Sequence, residues 1–199
     1  MKRTKQEVVS EFRCAEILEA ARSTFAAKGF HATTMDEIAE TAGVAKGTLY
    51  VYFDSKRTLY LKALEHGLSQ LLELTTAKMQ AAKGIQAKIR AFVGTRLEYA
   101  VDNRDFYRIY AESCNVAEPG SINKDFQKLY TRQINAVAQA LSEAVDHGEI
   151  RPLPVQAAAF TIYDMTRGLI LRHLLDESKV DIEEDIKFVC EFIWAGIGK

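Results

Sequence analysis

The stretch Thr34-Met-Asp-Glu-Ile-Ala-Glu-Thr-Ala-Gly-Val-Ala-Lys-Gly-Thr-Leu-Tyr-Val-Tyr-Phe-Asp-Ser-Lys56 decides the fold of this chain. Thr34 with Glu37 three residues later forms a capping box, which predicts a helix starting just after Thr34. Met35, Ile38, Ala39 and Ala42 then recur at helical spacing and make one apolar face. Gly43 stands where a helix C-terminus wants a left-handed residue, and Val44 is the apolar residue of the turn. A second short helix follows, so the layout is helix, glycine corner, helix.

In that second helix Leu49 is the inward anchor, with Ala45 and Phe53 one turn away on the same side. At about 100° per residue, Gly47 and Val51 point away from the core. Thr48 and Tyr50 flank them, and Lys46 and Tyr52 lie nearer the edges. This is a small, uncharged outer face, of a size that enters a DNA major groove about 12 Å wide. Gly47 permits close backbone approach, Val51 suits a thymine methyl, and Thr48 or Tyr50 suits a base edge or a phosphate oxygen. The alternative is an ordinary surface helix carrying two exposed tyrosines. Farther on, Ser55 is a good N-cap, yet Lys56 and Arg57 follow it in the first turn, where cations oppose the helix dipole. A phosphate docked at that helix start reverses the argument; otherwise these are tolerated surface charges.

From roughly Ala15 to Leu64, about a quarter of the chain, the sequence resembles the DNA-binding domain of the TetR family of bacterial transcriptional regulators. The resemblance rests on Ala20-Ala21, Phe25 through Gly29-Phe30, Thr33-Thr34, Ile38-Ala39, Ala42-Gly43-Val44, Lys46 through Phe53, and Ser55-Lys56. It implies N-terminal helices that bind DNA and a larger, divergent helical domain that dimerises and binds a small effector. By position it implies a DNA-facing set of Thr33 or Thr34, Lys46, Gly47, Thr48, Tyr50, Tyr52 and Lys56. Two departures stand out. Ala45 replaces the Ser or Thr that often caps the recognition helix, and Arg57 replaces the acid that commonly follows the Ser-Lys pair, which suggests an extra phosphate contact.

Composition sets outer bounds. The chain has 199 residues, 48% of them hydrophobic, and a formal net charge of −1. No stretch approaches 18 uninterrupted apolar residues, so no membrane span or signal peptide is expected, and the expected location is cytoplasmic. The charge is slightly asymmetric: residues 1–62 carry ten Lys and Arg against eight Asp and Glu. Lys2, Arg3 and Lys5 fall on an expected floppy arm that either lies along phosphates or stays disordered. Cys14, Cys114 and Cys190 are widely spaced, which argues for free thiols rather than zinc or disulfides. His31, His66, His147 and His173 fall on separate segments with no metal spacing. There is no phosphate loop or nucleophile elbow, so neither an enzyme nor a cofactor is expected.

The fold expected is all-α, with about nine helices: a three-helix DNA-binding domain over 1–54 and a larger helical bundle over 55–199. Long helices are predicted at 55–81, 84–101, 104–114, 121–147, 154–176 and 181–197, with breaks at Gly84, Pro119-Gly120, Gly148 and Lys179-Val180. The last two carry small residues (Ala157-Ala158-Ala159, Gly168, Ala195, Gly196) beside bulky ones (Phe160, Leu169, Phe188, Phe192, Trp194). They are read as a homodimer surface forming a four-helix bundle, the alternative being an internal hairpin. Effector candidates are Arg96, Phe106, Tyr107, Tyr110, Phe126, Tyr130, Tyr163, Asp164 and Arg167, apolar walls with a few polar groups. Aromatics at helical spacing also read as core, and Asp164 also reads as a partner of Arg167. Arg96 favours an anionic head group if it faces inward. The expected partners are a palindromic double-stranded DNA operator and a hydrophobic or anionic small molecule. The expected action is that of a repressor released by its effector; ligand-activated or corepressor-dependent binding is the alternative.

Overall fold

The computed structural model describes residues 4–116, 124–175 and 181–198. Nine α-helices are present among them, in the order α1 (Lys5–Ala32), α2 (Met35–Thr41), α3 (Lys46–Tyr52), α4 (Lys56–Ala81), α5 (Ile85–Asp102), α6 (Arg104–Val116), α7 (Lys124–Asp146), α8 (Val155–Leu175) and α9 (Ile182–Ile197). The all-α expectation holds, and the observed helix ends lie within about three residues of the predicted ones. The predicted breaks at Pro119-Gly120 and Lys179-Val180 lie outside the described residues. No described helix is long and apolar enough to cross a membrane.

The chain divides into two compact units, Met1–Gly67 with Asp105–Phe126, and Leu68–Arg104 with Gln127–Lys199. In the first, α1 begins with a capping box: the Thr4 hydroxyl accepts from the Glu7 N–H and the Glu7 carboxylate from the Thr4 N–H. The arm expected through Lys5 is therefore helical from Lys5 onward, because Thr4 and Glu7 satisfy the helix start. Helix α1 breaks at Gly29 (φ 76°, ψ 165°) and buries Ile17, Ala21 and Phe25 completely. Phe25 and Tyr60 meet edge to face at 5.0 Å, which ties α1 to the first half of α4.

Helix α6, expected with the C-terminal bundle, contributes to this first unit. Tyr60 donates its hydroxyl proton to the Ile109 carbonyl at 2.8 Å, and the Phe30 N–H donates to the Glu112 carboxylate at 3.3 Å. Gly67 is buried where α4 meets α6, and a methyl there would collide with the Phe106 ring. Phe106 has no exposed surface and packs edge to face with Tyr107 and tilted against Tyr110.

In the second unit α5 is the central helix, packed against α8 and α9. Its Phe92 and Val93 are fully buried, and Gly94 faces α9, where a Cβ would stand at van der Waals distance from Ile186. Helix α7 adds Val137, Ala138 and Leu141 to this core. Ion pairs Lys78–Glu98 (2.7 Å) and Lys88–Glu143 (3.2 Å) lie on the rim. Asp185, at the start of α9, takes Arg172 and His173 from the end of α8.

Gly67→Ala should lower stability by about 1–3 kcal/mol, because overpacking against an aromatic ring exceeds the helix-propensity gain of alanine. Urea unfolding measures this, and an unchanged or raised midpoint would show that α6 yields at this contact.

Candidate nucleic-acid interface and effector cluster

The corner is built as its residues dictate. Thr34 accepts the Glu37 N–H at 3.3 Å while Glu37 accepts from the Thr34 N–H at 2.9 Å. Gly43 takes φ 63°, its N–H reaches the Glu40 carbonyl at 3.1 Å, and the Val44 N–H reaches the Ala39 carbonyl at 2.9 Å. Helix α3 starts at Ala45 with no side-chain cap, as the sequence implies. Leu49 is fully buried and Phe53 nearly so, which fixes the rotation of α3. Val51 is 81% exposed and Tyr50 44%, and Gly47 has nothing within 4 Å of the position its Cβ would occupy.

The named polar residues divide into open and occupied groups. Thr34 is exposed, whereas Thr33 is buried and donates its hydroxyl proton to the Gly29 carbonyl at 2.8 Å. Thr48 and Tyr52 are half-buried, and Tyr52 accepts a long hydrogen bond of 3.4 Å from Ser10. Lys46 pairs with Asp36, whose hydrogen bond and charge push the Lys46 pKa upward. Lys56 donates to the carbonyls of Thr33 (2.8 Å) and His31 (3.1 Å), and its ammonium stands 4.7 Å from the Phe30 ring centroid. Those bonds orient Lys56 toward the exit of α1. Arg57 is exposed, and Ser55 caps α4 by accepting the Thr58 N–H at 3.1 Å.

The effector candidates fall into two groups, one in each unit. Phe106, Tyr107 and Tyr110 form a ring cluster in the first. In the second, Arg96 is 1% exposed, donating from Nε to the Thr166 hydroxyl at 2.7 Å and from Nη1 to Gln133 Oε1 at 2.6 Å. Its guanidinium carbon stands 3.9 Å from the Tyr163 ring centroid, a cation–π stack. Tyr130 meets Tyr163 edge to face at 4.9 Å, and burial raises its phenol pKa, with Tyr163 and Asp164 adding to the shift. Asp164 pairs with Arg167 at 3.0 Å, the i+3 pair the spacing allowed. The side chain of Phe126 lies outside the described residues, as does that of Cys114.

Sequence reasoning missed Gln133 and Thr166. Both sit among buried residues of α7 and α8, Gln133 beside Ile134 and Thr166 between Ile162 and Ile170. A polar residue in an apolar stripe was the signal. Gln133 Nε2 is buried with no hydrogen-bond partner among the described residues, since its Oε1 is turned to Arg96. The helix face of Phe188 (62% exposed) and Phe192 (60%) also stands open, with Phe160 at 47% and the two α9 rings 6.3 Å apart. Ala157, Gly168, Ala195 and Gly196 are exposed too, whereas Ala159 is buried and Ala158, Leu169 and Trp194 are half-buried.

This corner is one that comparison recognises. Residues 17–63 match the family model of bacterial regulatory proteins of the tetR family. The chain's N-terminal domain is a TetR-family DNA-binding domain. The chain is 29% identical over 174 residues to the HTH-type transcriptional regulator YfiR of Bacillus subtilis, covering 85% of this chain and 84% of that one. It is 27% identical over 195 residues to the HTH-type transcriptional activator FasR of Mycolicibacterium smegmatis, covering 93% and 83%. The fold is similar to that of the transcriptional regulator FadR of Bacillus subtilis in complex with stearoyl-CoA, with a TM-score of 0.79, 21% identity and coverage of 92% and 98%. The chain is a helix-turn-helix transcriptional regulator and not an enzyme.

The corner carries its own pH signature. Hydrogen bonds from Lys28 (2.6 Å) and from Thr34 lower the Glu37 pKa from 4.5 to about 2. A carboxylate held low in the fold stabilises it above pH 4.5, and that contribution is lost as pH falls toward 2. Glu37→Gln should therefore melt below the parent at neutral pH, with the difference closing between about pH 4.5 and 2. A difference constant across that window in thermal melts would mean the charge of Glu37 contributes nothing.

Proposed function

We propose that this TetR-family regulator is a homodimeric repressor that reads a palindromic operator with α3 and is released by a small molecule held in its C-terminal bundle. Residues 1–54 read DNA in this account, and 55–199 dimerise and bind the effector. The observation that carries it is the outer face of α3. A glycine inside a helix costs about 0.5–1 kcal/mol relative to alanine, and Gly47 has neither a positive φ nor a neighbour that demands it. An approaching surface outside the chain accounts for it, and the exposure of Tyr50 and Val51 beside it fits the same surface.

The DNA-facing set is then Thr34, Lys46, Gly47, Thr48, Tyr50, Val51 and Tyr52, with Arg57 at a phosphate. Thr33 and Lys56 support it from behind, since their polar atoms are engaged with backbone carbonyls. The homodimer forms through Phe160, Phe188 and Phe192 on α8 and α9, where exposed rings alternate with small residues. Two copies of α3 related by that twofold axis enter successive major grooves about 34–36 Å apart.

The effector lies against Arg96, Gln133, Thr166, Tyr163 and Tyr130. A buried donor without an acceptor is costly, so the unmatched Gln133 Nε2 is where an oxygen of the effector docks. The aromatic walls favour an apolar body, in keeping with the stearoyl-CoA bound by the structurally similar FadR. FasR of Mycolicibacterium smegmatis is a transcriptional activator, which makes activation rather than repression the second reading.

Selection of bound fragments from a random duplex pool tests the function: an enriched inverted repeat is expected, and no enrichment with or without stearoyl-CoA would contradict it. Against the selected operator, Gly47→Ala should raise the melting temperature yet weaken binding at least tenfold; tight binding by a stabilised variant would place the DNA elsewhere. Gln133→Leu should lower the melting temperature, because the buried Arg96 guanidinium loses an acceptor, while keeping operator binding and losing any further melting shift that stearate or stearoyl-CoA gives the parent protein. An equal shift in both proteins would remove Gln133 from the effector site.

A further inference from the structure

The DNA-facing corner holds an acid where a phosphate-binding surface would be expected to hold none. Asp36 is the second residue of α2 and Lys46 the first of α3, and the glycine turn brings them together. Lys46 Nζ lies 2.6 Å from Asp36 Oδ1 and 2.9 Å from Oδ2, with both side chains more than half exposed. The other cation that bridges to α2 is also paired, Lys28 with Glu37 at 2.6 Å. Lys56 is turned to two carbonyls. The exposed face of α3 beside these pairs carries no charge of its own, being Gly47, Tyr50 and Val51.

We propose that Asp36 is a specificity-determining residue, holding Lys46 away from the phosphates of random DNA and releasing it to a phosphate in the operator complex. The inference rests on the reading that α3 enters the major groove. On random DNA the protein is held by phosphate contacts alone. Moving Lys46 from Asp36 to a phosphate there exchanges one anion for another and leaves the carboxylate facing the duplex, so the pair stays closed. On the operator, base-edge contacts from Thr48, Tyr50 and Val51 draw α3 into the groove and bring its first turn to the backbone. An exposed ion pair is weakly held and screened by salt, so it opens when geometry demands. Asp36 thus subtracts one phosphate contact from the wrong complex and keeps it in the right one.

Asp36 also sits where an acid favours the helix dipole of α2, and the test separates the two roles. Asp36→Asn, Lys46→Met and the double variant are titrated by fluorescence anisotropy against a random-sequence duplex and the selected operator, from 50 to 300 mM salt, with melting temperatures in parallel. Asp36→Asn should bind the random duplex roughly fivefold more tightly near 0.1 M salt, with the slope of log K against log salt steeper by about 0.9, the signature of one added phosphate contact. The operator slope should stay unchanged, so the specificity ratio falls. On the Lys46→Met background the same substitution should leave the random-duplex slope where it was. Three results overturn the proposal: no steepening on random DNA, equal steepening on both duplexes, or steepening that persists without Lys46. A melting shift alone would assign Asp36 to the helix dipole and overturn it as well. Wild-type protein that binds neither duplex would sink the reading of α3 itself.

Discussion

Helix α3 has seven residues, and a helix that short does not hold itself in water. It has no side-chain cap at Ala45 and no charge arrangement that favours its dipole. What orders it is the burial of Leu49 and Phe53 against the rest of the first unit, together with the left-handed turn at Gly43. Once Leu49 is fixed inward, helical geometry leaves Gly47 and Val51 no choice but to face out. The proposed recognition surface is therefore a consequence of core packing. Every proposal about DNA depends on that one rotation.

Around this surface, charge is held in reserve. Lys28, Lys46 and Lys56 each spend their ammonium protons on a carboxylate or on backbone carbonyls. A net charge of −1 for the chain fits the same economy. Weak long-range attraction keeps a regulator from binding every stretch of a polyanion, at the cost of a slower encounter. In the proposed operator complex, affinity then has to come from close fit, through the uncharged face of α3. In the second unit the logic is inverted. There Arg96 is fully buried among rings and hydrogen-bonded groups, and Gln133 keeps a donor unmatched in a place where that is costly.

The corner was legible because its causes are local. Thr34 and Glu37, Gly43 and Leu49 lie within sixteen positions, and each acts through a turn or a cap that sequence spacing displays. What escaped was nonlocal. Arg96 meets Gln133 across 37 positions and Thr166 across 70, and nothing in the local pattern of α5 says which helices will face it. The attachment of α6 to the first unit rests on Tyr60, Gly67 and Glu112, again far apart in sequence. The surroundings of Lys56 were hidden for the same reason: the carbonyls of His31 and Thr33 that its ammonium meets lie more than twenty residues earlier. Thr33 and Thr34 are adjacent, and only the packed structure shows that one is buried and the other exposed.

The central claim is that α3 lies in the major groove with Gly47 and Val51 against the bases. Methylation interference on the selected operator tests it most directly, since N7 of guanine is in the major groove and N3 of adenine in the minor. The account predicts interference at guanine N7 in two clusters whose centres lie one helical turn apart or a multiple of it, with none at adenine N3 within those clusters. Interference confined to the minor groove, or a single cluster without a symmetric partner, would contradict it.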